Sequence, residues 1–224
     1  MEDNLKRVSE VEAAKDVEVK QVPEEEPQIK LHDNPQVPES RRRTMWLAKM
    51  GVMLAVAVLI SFIPTPPIFP AFNFIRYEWS DIPLLIGAFA FGVPSGLLLA
   101  FLSILLNALL GGAESALYGA VMHFIAIGTY IVVSGLIYRS KKNKVRAIVG
   151  LLCGTIAMTI VMVPANLFVT PYFMNVFMGV PMTIKDIIPL LLPAIVPINL
   201  IKGLASAFLV FLLYKRISPF LHRW

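Results

Sequence analysis

Apolar residues along this chain arrive in long runs, separated by short polar or basic clusters. The runs cover roughly 45–63, 82–110, 115–138, 145–169 and 189–214, and a helix of about 20 such residues crosses a bilayer. The second run is too long for one ordinary span and is interrupted at Gly92-Val93-Pro94-Ser95-Gly96. It is either one kinked helix or two short ones, and charge decides between them. The basic clusters are Arg41 to Arg43, then Arg139, Lys141, Lys142, Lys144 and Arg146, then Lys215, Arg216 and Arg223. All three face the cytoplasm under the positive-inside rule only if Ile82 to Leu110 crosses twice. The pattern therefore predicts an all-α polytopic membrane protein with six transmembrane helices and cytoplasmic N and C termini. The predicted spans are Met45 to Ile63, two within Ile82 to Leu110, Ser115 to Tyr138, Val145 to Val169, and Pro189 to Tyr214.

Composition agrees: 57% of residues are hydrophobic and 16% charged, with a mean hydropathy of +0.70. The net charge of +5 conceals a division, because every acid except Glu78, Asp81, Glu114 and Asp186 precedes residue 41. The first stretch, 1–43, reads as a disordered acidic cytoplasmic tail with a basic end, being charged, proline-containing and poor in aromatics before Trp46. Residues 44–216 form the expected membrane domain and 217–224 a cytoplasmic C-terminal tail. The basic balance follows from membrane topology, so no nucleic-acid partner is inferred; the partner at this level is membrane lipid. A single cysteine, Cys153, provides neither a disulfide framework nor a cysteine-rich metal site, and no metal or resident cofactor is expected.

The informative chemistry lies inside the spans. The last run carries Asn199 and Lys202, continued on the same helix face by Gly203 and Ser206. Charge at membrane depth is costly and marks a ligand or ion pathway. Pro189, Pro193 and Pro197 remove donors and free carbonyls one turn back, and such backbone is tolerated only where it faces protein or a cavity. Asn107 and Asn166 fall near the outer ends of their spans, so the four polar residues converge on an outward pocket. Lysine donates three hydrogen bonds and each asparagine both donates and accepts, a set that suits a planar heterocycle with carbonyls and an imide N–H. Asn107 has a second reading, as a side chain bonded to a neighbouring helix. His123 reads as a core histidine whose bonds are met within the bundle. The aromatic, proline-rich loop PTPPIFPAFNFIRYEWSD forms either an interfacial belt or a lid over the pocket. There is no P-loop, no H-E-x-x-H and no G-x-S-x-G. This is a pocket without an engine, and not an enzyme.

The stretch FIRYEWSDIPLLIGAFAFGVPSG resembles the riboflavin-binding branch of the S components of energy-coupling-factor (ECF) vitamin transporters. Pro197-Ile198-Asn199-Leu200-Ile201-Lys202-Gly203 and Asn166-Leu167-Phe168-Val169 are similar to the same branch. The resemblance spans roughly 44–216. It implies a high-affinity riboflavin-binding subunit in the cell membrane, energised by a separate coupling subunit and two ATPase subunits. It further implies that Asn166, Asn199 and Lys202 bond the flavin ring, and that Ile75, Arg76 and Tyr77 belong to a gating lid. Where the family often has Asn-Phe in span four, this chain has His123-Phe124. The family's Ala-x-x-x-Ala docking pattern in span one has its nearest match in Gly51-x-x-x-Ala55; packing within the chain is the other reading of that pair. The alternatives are an S component for another vitamin and a self-sufficient small-molecule facilitator.

Overall fold

Pro38 marks where helix begins, its carbonyl accepting the Arg42 N–H at 3.1 Å. The computed structural model describes residues 38–64, 77–111, 116–177 and 179–222, and the tail before Pro38 lies outside them, as do Ile75, Arg76 and Glu114. Helix α1 (Glu39–Ser61) starts upstream of the expected Met45. A Glu39–Arg43 pair at 2.7 Å closes its first turn, but both partners are solvent-exposed and such a pair contributes little.

The long second run is broken where the pattern placed the break. Helix α2 (Asp81–Phe91) ends at Gly92, whose φ of 91° disfavours any side chain, and α3 (Val93–Gly111) begins directly after it. The two form an antiparallel hairpin. A Cβ on Gly96 would lie 2.5 Å from that of Ala88, and one on Gly87 would lie 2.6 Å from Leu99 Cδ1. Helix α2 is buried along nearly its whole length, from Asp81 to Phe89. An apolar helix can be enclosed in this way when its neighbours supply the outer surface. Its eleven residues rise only about 16 Å, roughly half the hydrocarbon thickness.

Helices α4 (Ala116–Ser140) and α5 (Lys144–Phe177) make the most extensive contact among the described helices. Gly150 sits against Ser134 and Gly154 against Tyr130, so close that a Cβ would fall 2.8 Å from the Ser134 carbonyl oxygen and 2.5 Å from the Tyr130 ring. Small residues four apart let two backbones approach in this manner. Helix α5 runs past the expected end at Val169 and through Pro171. Tertiary contacts hold the extra turns: the Thr170 and Tyr118 hydroxyls lie 2.8 Å apart, and the buried Phe173 ring packs 5.0 Å from that of Tyr118. A loop closed by Asn175, which bonds both the N–H and the carbonyl of Met182, leads to α6 (Ile184–Leu190).

Helix α6 continues without interruption into a π-helical turn, Leu191–Ile195, and then α7 (Val196–His222). The prolines thus widen the helix rather than ending it, and the Val196 N–H reaches back to the Leu191 carbonyl. Such wide turns accommodate donors missing from the ladder and recur at functional sites. Of the described helices, α1, α3, α4, α5 and the α6–α7 stretch are long and apolar enough to cross a membrane, with α2 as a shorter apolar helix. Large apolar side chains such as Leu59, Leu109, Ile160 and Phe208 are exposed on the outside, as suits a surface solvated by lipid.

Candidate functional site

Three hydrogen bonds fix the segment just before α2. Backbone turns run from the Asp81 N–H to Glu78 and from the Ile82 N–H to Trp79. The Tyr77 hydroxyl lies 2.9 Å from Ser206 Oγ on α7, with its ring edge-on to Trp79 at 4.9 Å. Asp81 opens α2, where the helix dipole favours an acid, and its Oδ1 lies 2.7 Å from His123 Nε2 on α4. Tyr77 and Asp81 are therefore pinned to two different helices.

Lys202 occupies α7 one turn before Ser206 and is partly buried. It makes no ion pair with a described residue; the ion pairs among the described residues are Arg43–Glu39 and His123–Asp81. Asn199, on the same face and only 8% exposed, donates Nδ2 to the Ile195 carbonyl at 2.7 Å. One of the carbonyls in the proline-rich turn is thereby satisfied, and the Asn199 oxygen remains available as an acceptor. On α5, Asn166 donates to the Met162 carbonyl at 2.8 Å and accepts weakly from Thr170 at 3.4 Å. Thr170 in turn contacts Tyr118 of α4.

Behind Lys202 stands a buried polar junction of three helices. The Tyr130 hydroxyl donates to the Gly203 carbonyl at 2.9 Å, and Thr155 Oγ1 lies 3.2 Å from that hydroxyl. Gly203 must be small here, since a Cβ would stand 2.5 Å from Thr155 Cγ2. This junction sets the rotation of α7 and hence the direction of the Lys202 side chain. Nearby, Trp79 Nε1 and Ser80 Oγ are buried without a hydrogen-bond partner among the described residues. Buried donors left unmatched are uncommon and costly.

Asn199 and Lys202 thus lie on α7, Tyr77 is bonded to Ser206 one turn further on, and Asn166 lies on α5, which packs against α7. Asn107 Oδ1 accepts from Ser61 Oγ at 2.6 Å, joining the ends of α1 and α3, and no described contact links it to the other three. Gly51 and Ala55 are exposed on α1, and a Cβ at Gly51 would meet nothing within 4 Å. The Asp81–His123 pair escaped sequence reasoning because its members are 42 residues apart. The available signal was only that both are ionisable residues on apolar helices, Asp81 at the first residue of α2 and His123 two turns into α4.

Comparison with known proteins adds to this geometry. A family model described as "ECF transporter, substrate-specific component" matches residues 46–214. The chain is 29% identical over 178 residues to the riboflavin transporter RibU of Staphylococcus aureus, covering 79% of this chain and 92% of that protein. It is 30% identical over 182 residues to RibU of Streptococcus thermophilus, covering 80% and 85% respectively. Riboflavin transporter FmnP of Bacillus subtilis is 22% identical over 180 residues, covering 79% of this chain and 94% of FmnP. A solved structure described as the S component of a bacterial ECF transporter superposes with a TM-score of 0.66 at 29% identity, covering 80% of this chain and 98% of that one.

Proposed function

The chain belongs to the substrate-specific component family of ECF transporters, and from that premise we propose that it binds riboflavin for import. It is a multi-pass protein of the cell membrane and a transporter component rather than an enzyme. The observation that carries the riboflavin reading is the partly buried Lys202, without an ion-pair partner among the described residues, on the same helix face as buried Asn199, in a chain whose curated relatives are riboflavin transporters.

Lys202 donates to a ring carbonyl, while the Asn199 oxygen accepts from the imide N–H and Asn166 contacts the ring from α5. Tyr77 and Trp79 offer aromatic faces over the isoalloxazine. The unmatched Trp79 Nε1 and Ser80 Oγ supply further donors to the bound ligand. Ile75 and Arg76, outside the described residues, belong with Tyr77 to the lid in this reading. Asn107 belongs to the α1–α3 contact in this reading rather than to the ligand shell.

The α2–α3 hairpin counts as two passes, with α2 enclosed by the other helices, so that six passes leave both termini in the cytoplasm. Energy comes from outside the chain, through a membrane coupling subunit and two ATPase subunits. The coupling subunit docks on the exposed Gly51 and Ala55 face of α1, where small residues permit close helix approach.

Titration of the purified protein with riboflavin, thiamine and biotin tests the assignment. The expected result is one-to-one quenching of riboflavin fluorescence and no response to the others. Binding of thiamine or biotin with riboflavin ignored overturns it.

A further inference from the structure

Resting on the reading of Asn166 as a ligand contact, we propose that Tyr118 and Thr170 are positioning residues for riboflavin binding. Their hydroxyls form a relay that holds the Asn166 amide with an N–H free for the ligand.

The relay crosses from α4 to α5. Tyr118 stands in the first turn of α4, and its hydroxyl lies 2.8 Å from Thr170 Oγ1 on α5. Thr170 is buried and follows Asn166 by four residues, so the two share a helix face; its Oγ1 lies 3.4 Å from Asn166 Oδ1. The direction of the chain follows from the donors each group owns. A carbonyl oxygen only accepts, so the Thr170 hydroxyl gives its single proton to Asn166, and Tyr118 must donate to Thr170. Asn166 Nδ2 meanwhile donates one of its two hydrogens to the Met162 carbonyl at 2.8 Å. The amide is therefore held at both ends. Turned over, it would set two carbonyl oxygens against each other.

What this leaves for a ligand is the second Nδ2 hydrogen, so Asn166 meets the ring chiefly as a donor. A ligand acceptor that draws on this N–H makes Oδ1 a better acceptor in turn. The long Thr170 contact then tightens, because hydrogen bonds in a chain polarise one another. The relay thus acts on binding as well as joining α4 to α5. The Tyr118 ring has a separate task, packing 5.0 Å from Phe173, and that contact does not need the hydroxyl.

The test is riboflavin titration, with thermal stability measured alongside, of purified wild-type protein, Tyr118→Phe, Thr170→Val, Thr170→Ser, Asn166→Ala and Asn166→Ala/Thr170→Val. Tyr118→Phe and Thr170→Val are each expected to bind about two- to tenfold more weakly, the range of one hydrogen bond, with Thr170→Ser within about twofold of wild type. Valine matches threonine in size whereas serine is smaller, so a packing role reverses that order. In the Asn166→Ala background Thr170→Val costs no further affinity, because the relay has nothing left to hold; a loss transmitted through the fold persists there. If Thr170→Val fails to fold, Tyr118→Phe with and without Asn166→Ala reads the same cycle. Wild-type affinity in Thr170→Val, weaker binding by Thr170→Ser than by Thr170→Val, or an equal loss in the Asn166→Ala background overturns the inference alone. Wild-type affinity in Asn166→Ala removes the contact and the inference with it, while the riboflavin reading stands. Wild-type protein that ignores riboflavin overturns both.

Discussion

At the scale of single residues, the site is a matter of which polar groups are already engaged. Asn199 and Asn166 each bond a carbonyl one turn back, which orients them and leaves their remaining capacity directed elsewhere. Lys202 has no such local partner. Replacing it with methionine keeps the stem and removes the charge, so riboflavin affinity should fall by about 1.5–3 kcal/mol, the range for a hydrogen bond to a charged group. Fluorescence titration of a monodisperse Lys202→Met protein measures this. The anomaly of Lys202 was legible in the sequence, because a charge inside an apolar run needs no tertiary knowledge to stand out. Asn107 shows the opposite: inspection left two readings, and its bond to Ser61 depends on the ends of α1 and α3 coming together.

At the scale of elements, glycine positions govern how closely helices meet. The α4–α5 interface rests on Gly150 and Gly154, where any side chain meets the backbone of Ser134 or the ring of Tyr130. Gly150→Leu should therefore destabilise the fold by about 1–3 kcal/mol or more, as overpacking does, visible as earlier thermal aggregation in detergent. Gly51 is a contrasting case. It shares the spacing pattern with Ala55, yet both face outward, and a side chain at Gly51 meets nothing in this chain. The double replacement Gly51→Leu/Ala55→Leu is expected to leave riboflavin binding intact while abolishing uptake and co-purification with the coupling subunit. Normal uptake in cells expressing the variant would count against the docking face. The same kind of small-residue pair thus predicts opposite phenotypes, and only the direction each faces tells them apart.

At the scale of the whole molecule, the proposed six passes put the α4–α5 turn in the cytoplasm and the α5–α6 loop outside. With Cys153 first replaced by alanine, Val180→Cys should react with a membrane-impermeant maleimide on intact cells. Lys142→Cys should react only after permeabilisation. Labelling of both from outside would require a different pass count. Electrostatics make the expected orientation reasonable, since the basic residues flanking Ser140 and Lys144 sit at the turn assigned to the cytoplasm.

By itself the sequence determined the membrane class, the long apolar helices, the break at Gly92 and the presence of a charge and an amide, Lys202 and Asn199, inside an apolar run. These follow from local causes: the solvent preference of a run, the backbone freedom of one glycine, and the cost of a charge in an apolar stretch. Tertiary structure decided the rest. Helix α5 continues beyond Val169 because Tyr118 of another helix receives Thr170 and Phe173. The prolines before Asn199 are absorbed in a π turn because neighbouring helices hold the α6–α7 stretch in place. Asp81 finds His123 because α2 and α4 lie side by side in the same direction. Pairings of this kind join residues far apart in the chain, and no local pattern encodes which of two buried polar groups will meet.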